Sequence, residues 1–200
     1  ISYLYPQNNQ LLITAYSTGL IDYIFPFKND YNTTFDTSFY GVQHYNKIIR
    51  QGDFKQRLSG KWDASSKKIE YEKLESFQRP DSCMNLFTFF ARLNKEQGDM
   101  LDTQWFPVEH EGNLFKSRVL IADTVKMESN GHSVLCNHFR LDLIPLNDQI
   151  KMLDRSDYFS QNITRPEAIK QVWVEQNNAR RIMKASVKIG PVSVTATLRQ

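Results

Sequence analysis

The sequence predicts a mainly β protein built of consecutive antiparallel hairpins, with one substantial helix docked on the sheet. Three observations carry this. Apolar residues recur mostly with a period of two, the mark of a strand with one wet face. The breaks between those runs have turn chemistry. In one segment alone, between 82 and 97, the spacing becomes helical.

Taken in chain order, Lys68-Ile69-Glu70-Tyr71-Glu72 alternates polar and apolar residues. Pro80-Asp81-Ser82 then offers a helix start with Asp81 or Ser82 as N-cap. Leu86, Phe87, Phe90 and Leu93 share one helical face, Phe89 falls off that stripe, and Gly98 reads as a stop, so the helix is expected over Ser82–Gln97. Gly112-Asn113 separates Trp105–Glu111 from a β-rich run over Leu114–Met127. Ser129-Asn130-Gly131 follows. Asn-Gly is a strong hairpin signal because both residues tolerate positive φ. Leu135, Phe139, Leu141 and Leu143 mark the core face of the next strand. A polar stretch from Asn147 to Pro166 reads as a long loop. Val172-Trp173-Val174 starts another strand and Asn177-Asn178 a turn. Gly190-Pro191 breaks the chain before a last strand over Val192–Leu198.

Bulk composition bounds the rest. Two hundred residues amount to one domain, large enough to fold without a metal or disulfide staple. Lys plus Arg total 25 against 22 Asp plus Glu, a charge of +3, which argues against a nucleic-acid partner. The aromatic inventory, 13 Phe, 9 Tyr and 3 Trp beside only 8 Gly, excludes a disordered tail. Cys83 and Cys136 permit one disulfide, but two buried free thiols are the favoured expectation. The chain starts at Ile1 rather than Met, and is expected to be a trimmed or mature piece without its signal peptide.

Candidate chemistry is sparse. His132 and His138 lie six residues apart, roughly 20 Å along a strand, too far to share a metal. Glu109-His110-Glu111 is dense in ionisable groups, but in a strand its two carboxylates point away from the imidazole, and all three are expected in solvent. His138, Arg140 and Asp142 share a strand face read as solvated. Arg50, Lys55, Arg57, Lys61, Lys67 and Lys68 form a basic region diluted by Glu70, Glu72 and Glu75. Cys83 would sit at a helix N-terminus, and is read as a half-buried structural thiol. Neither a nucleophile elbow nor a phosphate loop occurs. No catalytic residue, metal site or cofactor is assigned.

Four stretches carry a resemblance. They are Ala15-Tyr16-Ser17-Thr18 leading to Phe27-Lys28-Asn29-Asp30-Tyr31 and Phe35-Asp36; Ile49-Arg50-Gln51-Gly52-Asp53-Phe54-Lys55; Leu86-Phe87-Thr88-Phe89-Phe90-Ala91-Arg92-Leu93; and Trp173-Val174-Glu175-Gln176-Asn177-Asn178-Ala179-Arg180-Arg181 with Lys188-Ile189-Gly190 and Leu198. In order and spacing the chain resembles the bacterial envelope proteins of the domain of unknown function 3108 family. It departs at Glu175–Asn178, where that family is more acidic, and at Ile182-Met183, where a proline step is usual. The resemblance implies an extracytoplasmic, periplasmic protein. Its fold would be a strongly curved antiparallel sheet or open β-barrel with the helix against it, lacking one or two N-terminal strands. No catalytic residues carry over.

Set together, these readings favour a non-catalytic binding or envelope-assembly module with an apolar or amphipathic, lipid-like ligand or a hydrophobic partner segment. Phe87, Phe89, Phe90, Trp105 and Trp173 are the candidate lining of its cleft beside the helix. Peripheral membrane association fits the same reading. Two alternatives stand beside it. A structural protein–protein module would expose a sheet edge or apolar patch instead of a cavity. A hydrolase of envelope glycan or lipid would need a convergent polar cluster in a cleft, around His138/Asp142 or His110.

Overall fold

The computed structural model describes residues 2–4, 9–24, 26–129, 131–146 and 156–198. It is mainly β, as the sequence predicts, but the strands form two seven-stranded sheets rather than one. The first runs in chain order through β1 (Ser2–Leu4), β2 (Gln10–Tyr16), β3 (Lys28–Phe35), β4 (Val42–Gln51), β5 (Phe54–Asp63), β6 (Lys68–Tyr71) and β7 (Phe77–Gln78). The second comprises β8 (Met84–Asn85), β9 (Phe106–His110), β10 (Asn113–Ser129), β11 (His132–Pro145), β12 (Ile169–Glu175), β13 (Ile182–Ile189) and β14 (Val192–Thr197), again in chain order. All pairings are antiparallel except β8 with β9. Among the described residues neither sheet closes on itself.

After the short α1 (Leu20–Ile24), helix α2 (Leu86–Lys95) lies between the sheets and explains why there are two. Leu86, Phe89 and Leu93 pack on the second sheet, against Phe106, Val108, Phe115, Phe139 and Val172. Phe87 and Ala91 pack on the first, where Phe87 meets Tyr31 at 4.5 Å and Tyr45 at 6.0 Å between ring centroids. A helix covered on two sides needs two apolar stripes, so Phe89, off the single stripe the sequence suggests, is fully buried.

The helix is shorter than the expected 82–97. Asp81 and Ser82 form a turn, Met84 and Asn85 add a short parallel strand, and Asn85 is the N-cap. Its side chain accepts from the Thr88 amide at 2.9 Å, while Thr88 Oγ1 accepts from the Asn85 amide at 3.0 Å. This reciprocal cap outcompetes the earlier Asp/Ser signal because it satisfies two otherwise orphaned amides. Gly98 opens a short helix, α3 (Gly98–Leu101), instead of ending α2.

Elsewhere the alternation places side chains well. Val172 and Val174 of β12 point inward and Trp173 outward. Asn130 of the expected turn lies outside the described residues; the register Ser129↔His132 and Gly131 at φ +74° close the hairpin as Asn-Gly chemistry requires. The expected loop 147–166 lies outside the described residues up to 155, and its remainder contains α4 (Tyr158–Ile163). Leu135, expected in the core, is 44% exposed, because the β10–β11 hairpin extends beyond the strands that flank it.

Candidate functional site

Strand β4 alternates Tyr45, Lys47 and Ile49 onto its inner face. A lysine there would be costly unless fully paired. Lys47 is paired: its ammonium donates to Glu111, meets Asp157 Oδ2 at 2.6 Å, and reaches Ser156 Oγ at 2.7 Å and Ser160 Oγ at 2.8 Å. All five residues are buried. Their arrangement follows from local structure in three separate elements. Glu111 and Gly112 form the two-residue turn between β9 and β10, both with positive φ, at +48° and +83°. That turn carries the Glu111 carboxylate toward β4 instead of out along the strand. Asp157 is the N-cap of α4, accepting from the Ser160 amide at 2.9 Å and from Ser160 Oγ at 2.7 Å. Ser156 donates to Glu111 at 2.9 Å.

The neighbouring groups extend this cluster into a polar belt between the sheets. Tyr71 of β6 donates to Glu109 of β9, and Arg79 donates to the carbonyls of Val42 and Cys83 while lying 4.1 Å over the Trp62 ring. Burial pushes the Glu109 carboxyl up to about 7, against the opposing pull of the Tyr71 hydroxyl and the Arg79 charge. Burial likewise holds His110 below its ordinary value, so its ring is neutral near pH 7. Burial alone would raise Asp157, but the Lys47 charge and the Ser160 bonds outweigh it and lower the carboxyl. Tyr31 and Tyr45 are raised well above the phenol range by burial, with Asp157 and Glu111 nearby adding to the shift.

Two expectations are therefore corrected. Glu109, His110 and Glu111 are not in solvent; all three are buried, because the β9–β10 turn faces the first sheet and α4 rather than water. Lys47, Ser156, Asp157 and Ser160 were not singled out by any motif. Their available signals were a lysine in register with Tyr45 and Ile49, and an Asp-x-x-Ser cap at 157–160. Cys83 precedes the N-cap rather than opening the helix; it and Cys136 are buried free thiols, pushed up by burial to about 12 and about 11.

The five candidate aromatics are not brought to one place. Phe87 and Phe89 face opposite sheets, and Phe90 is half-buried against the second core. Trp105 is 40% exposed, with Arg118 at 4.5 Å from its ring. Trp173 lies on the outer face of the second sheet, stacked on His138 at 4.5 Å with Lys184 on its ring at 4.4 Å. His138 bonds Asp123 at 3.0 Å and Gln171 at 2.8 Å, whereas Asp142 pairs with Arg118 and Arg140. His138 and Asp142 thus belong to separate surface pairs. In the basic region Arg50 pairs with Asp30 at 2.6 Å, and Lys55, Lys61, Lys67 and Lys68 are exposed. Beside Arg50, Thr14, Tyr16, Phe27 and Lys28 line an open surface concavity of about 570 Å³.

Chemically, the belt holds a cation between two carboxylates with every Lys47 donor engaged, and its serines donate to carboxylates. That arrangement clamps one sheet to the other. A nucleophile would instead need a serine whose proton goes to a free base. Comparison with family models, with curated proteins and with solved structures finds no match for the chain.

Proposed function

We propose that the chain is a non-catalytic recognition module of the bacterial cell envelope, acting through protein–protein contact at its sheet periphery. The observation that carries this is the exposed apolar side of the outer strand β14. Among the described residues that strand pairs only with β13, and its Val192 and Val194 are 52% and 39% exposed on the apolar face of the sheet. The space beside α2 is taken up by its own two packed stripes, which supports surface recognition over a ligand held in a central cleft. The resemblance noted in the sequence supports the envelope location. On this reading the curved sheet that the resemblance implies is shared between two sheets wrapped on one helix.

A second reading keeps an amphipathic ligand but moves it to the surface. The concavity at Arg50 and Lys28, with Phe27 beside them, offers two cations and an apolar wall to an anionic lipid headgroup. Native mass spectrometry of the chain purified from envelopes without detergent separates the two. The recognition reading expects the bare chain mass or whole-protein multiples of it. A stoichiometric lipid adduct, lost on Lys28→Glu with Arg50→Glu, would overturn it in favour of the second.

A further inference from the structure

Among the described residues two lysines are buried, Lys47 and Lys170. Lys170 donates to the backbone carbonyls of Arg165 and Ala168. Lys47 instead holds its amine against two buried carboxyls, those of Glu111 and Asp157. We infer that the Lys47 amine and the Asp157 carboxyl condense into a side-chain amide, with Glu111 carrying the proton. The inference is independent of the recognition reading.

The surroundings favour condensation. Two opposite charges buried together are costly, and an amide removes both of them. The three side chains are almost wholly shut off from water, the product that a condensation must release. The reacting groups are also held by separate parts of the fold. Lys47 is fixed by strand β4, and Asp157 by its capping of α4, whose Ile163 belongs to the second core. Groups held in this way react as if at concentrations on the order of 10⁵–10⁸ M. The amide would therefore fasten the first sheet to an element packed on the second.

The donors around each carboxyl separate their roles. Asp157 Oδ1 accepts from the Ser160 amide at 2.9 Å and Oδ2 from Ser160 Oγ at 2.7 Å, and the Tyr31 hydroxyl bonds the same carboxyl. Such donors draw electrons from the carboxyl carbon and hold the charge that grows on oxygen during attack. Glu111 accepts from Lys47 itself and from the Ser156 hydroxyl. It touches the nitrogen directly, where a carboxylate can take up a proton and pass it on.

The step balances within these three side chains. One ammonium proton passes to Asp157 Oδ2, 2.6 Å away. The freed Nζ lone pair forms the bond to Cγ, and the carbonyl pair moves onto Oδ1, where the Ser160 amide donates. Glu111 takes a second proton from the nitrogen and gives it to Oδ2. The Cγ–Oδ2 bond then breaks, water leaves with both protons, and the pair on Oδ1 restores the carbonyl. Nζ keeps its third proton as the amide N–H, and Glu111 ends as it began. One C–N bond replaces one C–O bond, nothing is oxidised or reduced, and no co-reactant is needed.

Mass spectrometry of the whole chain, denatured after purification, tests this. Wild type is expected about 18 Da below the mass of its sequence, the loss of one water. Trypsin cannot cut after an acylated Lys47, so fragment 29–50 should be found joined to fragment 156–170. Lys47→Met and Asp157→Ala are expected at full mass. Lys47→Met removes the ion pair and the amide alike, so mass rather than stability separates the two. Glu111→Gln keeps the Lys47–Asp157 pair and is expected to unfold cooperatively, yet to condense about 10²-fold more slowly. A wild-type chain at full mass overturns the amide. So does a water lost elsewhere, as in ring closure at an aspartyl residue, which leaves fragments 29–47 and 156–170 separate. Fragment 29–50 joined to 96–116 would place the bond at Glu111 and overturn the roles assigned here. Condensation of Glu111→Gln at the wild-type rate would overturn them equally.

Discussion

Replacing Lys47 by methionine isolates the electrostatic clamp between the sheets. The side chains are of similar length, so the change removes a charge and leaves little cavity. In the folded chain the Lys47, Glu111 and Asp157 side chains are 0%, 7% and 2% exposed. Water therefore cannot replace the ammonium, and two carboxylates are left buried without their cation. Removing one partner of a buried ion pair costs about 3–5 kcal/mol. With a urea m-value of about 2 kcal/mol/M for a chain of this size, the denaturation midpoint should fall by about 1.5–2.5 M.

The sign with pH follows from the same geometry. In Lys47→Met, Asp157 loses the Lys47 charge that lowers its carboxyl, and burial then favours its protonated form. The deficit relative to wild type should then shrink as the solution is acidified from pH 8 toward 5. Neutralising all three, as Lys47→Met with Glu111→Gln and Asp157→Asn, leaves no charge in this cluster, and Asn keeps the α4 cap. That variant should regain most of the lost stability at neutral pH. A Lys47→Met loss below about 1 kcal/mol, well under the 3–5 kcal/mol of an uncompensated pair, would refute the clamp. A triple variant less stable than the single one would refute it equally.

Two further predictions concern buried titratable groups. The folded-state value of Glu109, about 7 against 4.5 in an unfolded chain, means its contribution is complete below pH 4.5 and lost as pH rises through 7. The shift corresponds to about 3 kcal/mol. His110 acts in the opposite sense, losing stability as pH falls below 6.5, so the two offset each other in weak acid. Glu109→Gln, which still accepts from Tyr71, should therefore be more stable than wild type at pH 8 and not at pH 4.5, by chemical denaturation at each pH; equal differences at both would refute the assignment. Cys83 and Cys136 should be silent to a thiol reagent at pH 8 in the folded chain and both react at once in denaturant, and a count of zero free thiols after denaturation would show a disulfide instead.

Much of the fold was legible because strand alternation records which side of a residue is wet. Lys68–Tyr71 reads polar, apolar, polar, apolar and is buried in that order. Alternation does not record what covers the dry side. A residue facing helix α2 across one sheet looks the same in sequence as one facing it across the other. The second sheet was therefore missed from the strands, and its available signal was Phe89, apolar but off the stripe of Leu86, Phe87 and Phe90. The polar belt was hidden for a related reason. Charged residues are read as solvent-facing by default, yet Lys47 stands in register with buried Tyr45 and Ile49. Glu111 escapes strand logic because a left-handed turn redirects it.

The belt and the apolar layers do different work. Contacts of Leu86, Phe89 and Leu93 with one sheet, and of Phe87 and Ala91 with the other, are non-directional, so small slides of the helix change them little. The bonds from Lys47 to Glu111 and Asp157, and from Tyr71 to Glu109, tie particular positions of β4 and β6 to one turn and one helix cap. Any slide breaks them and strands a charge. Lys47, Glu111 and Asp157, close to His110, are thus engaged in holding the sheets in register.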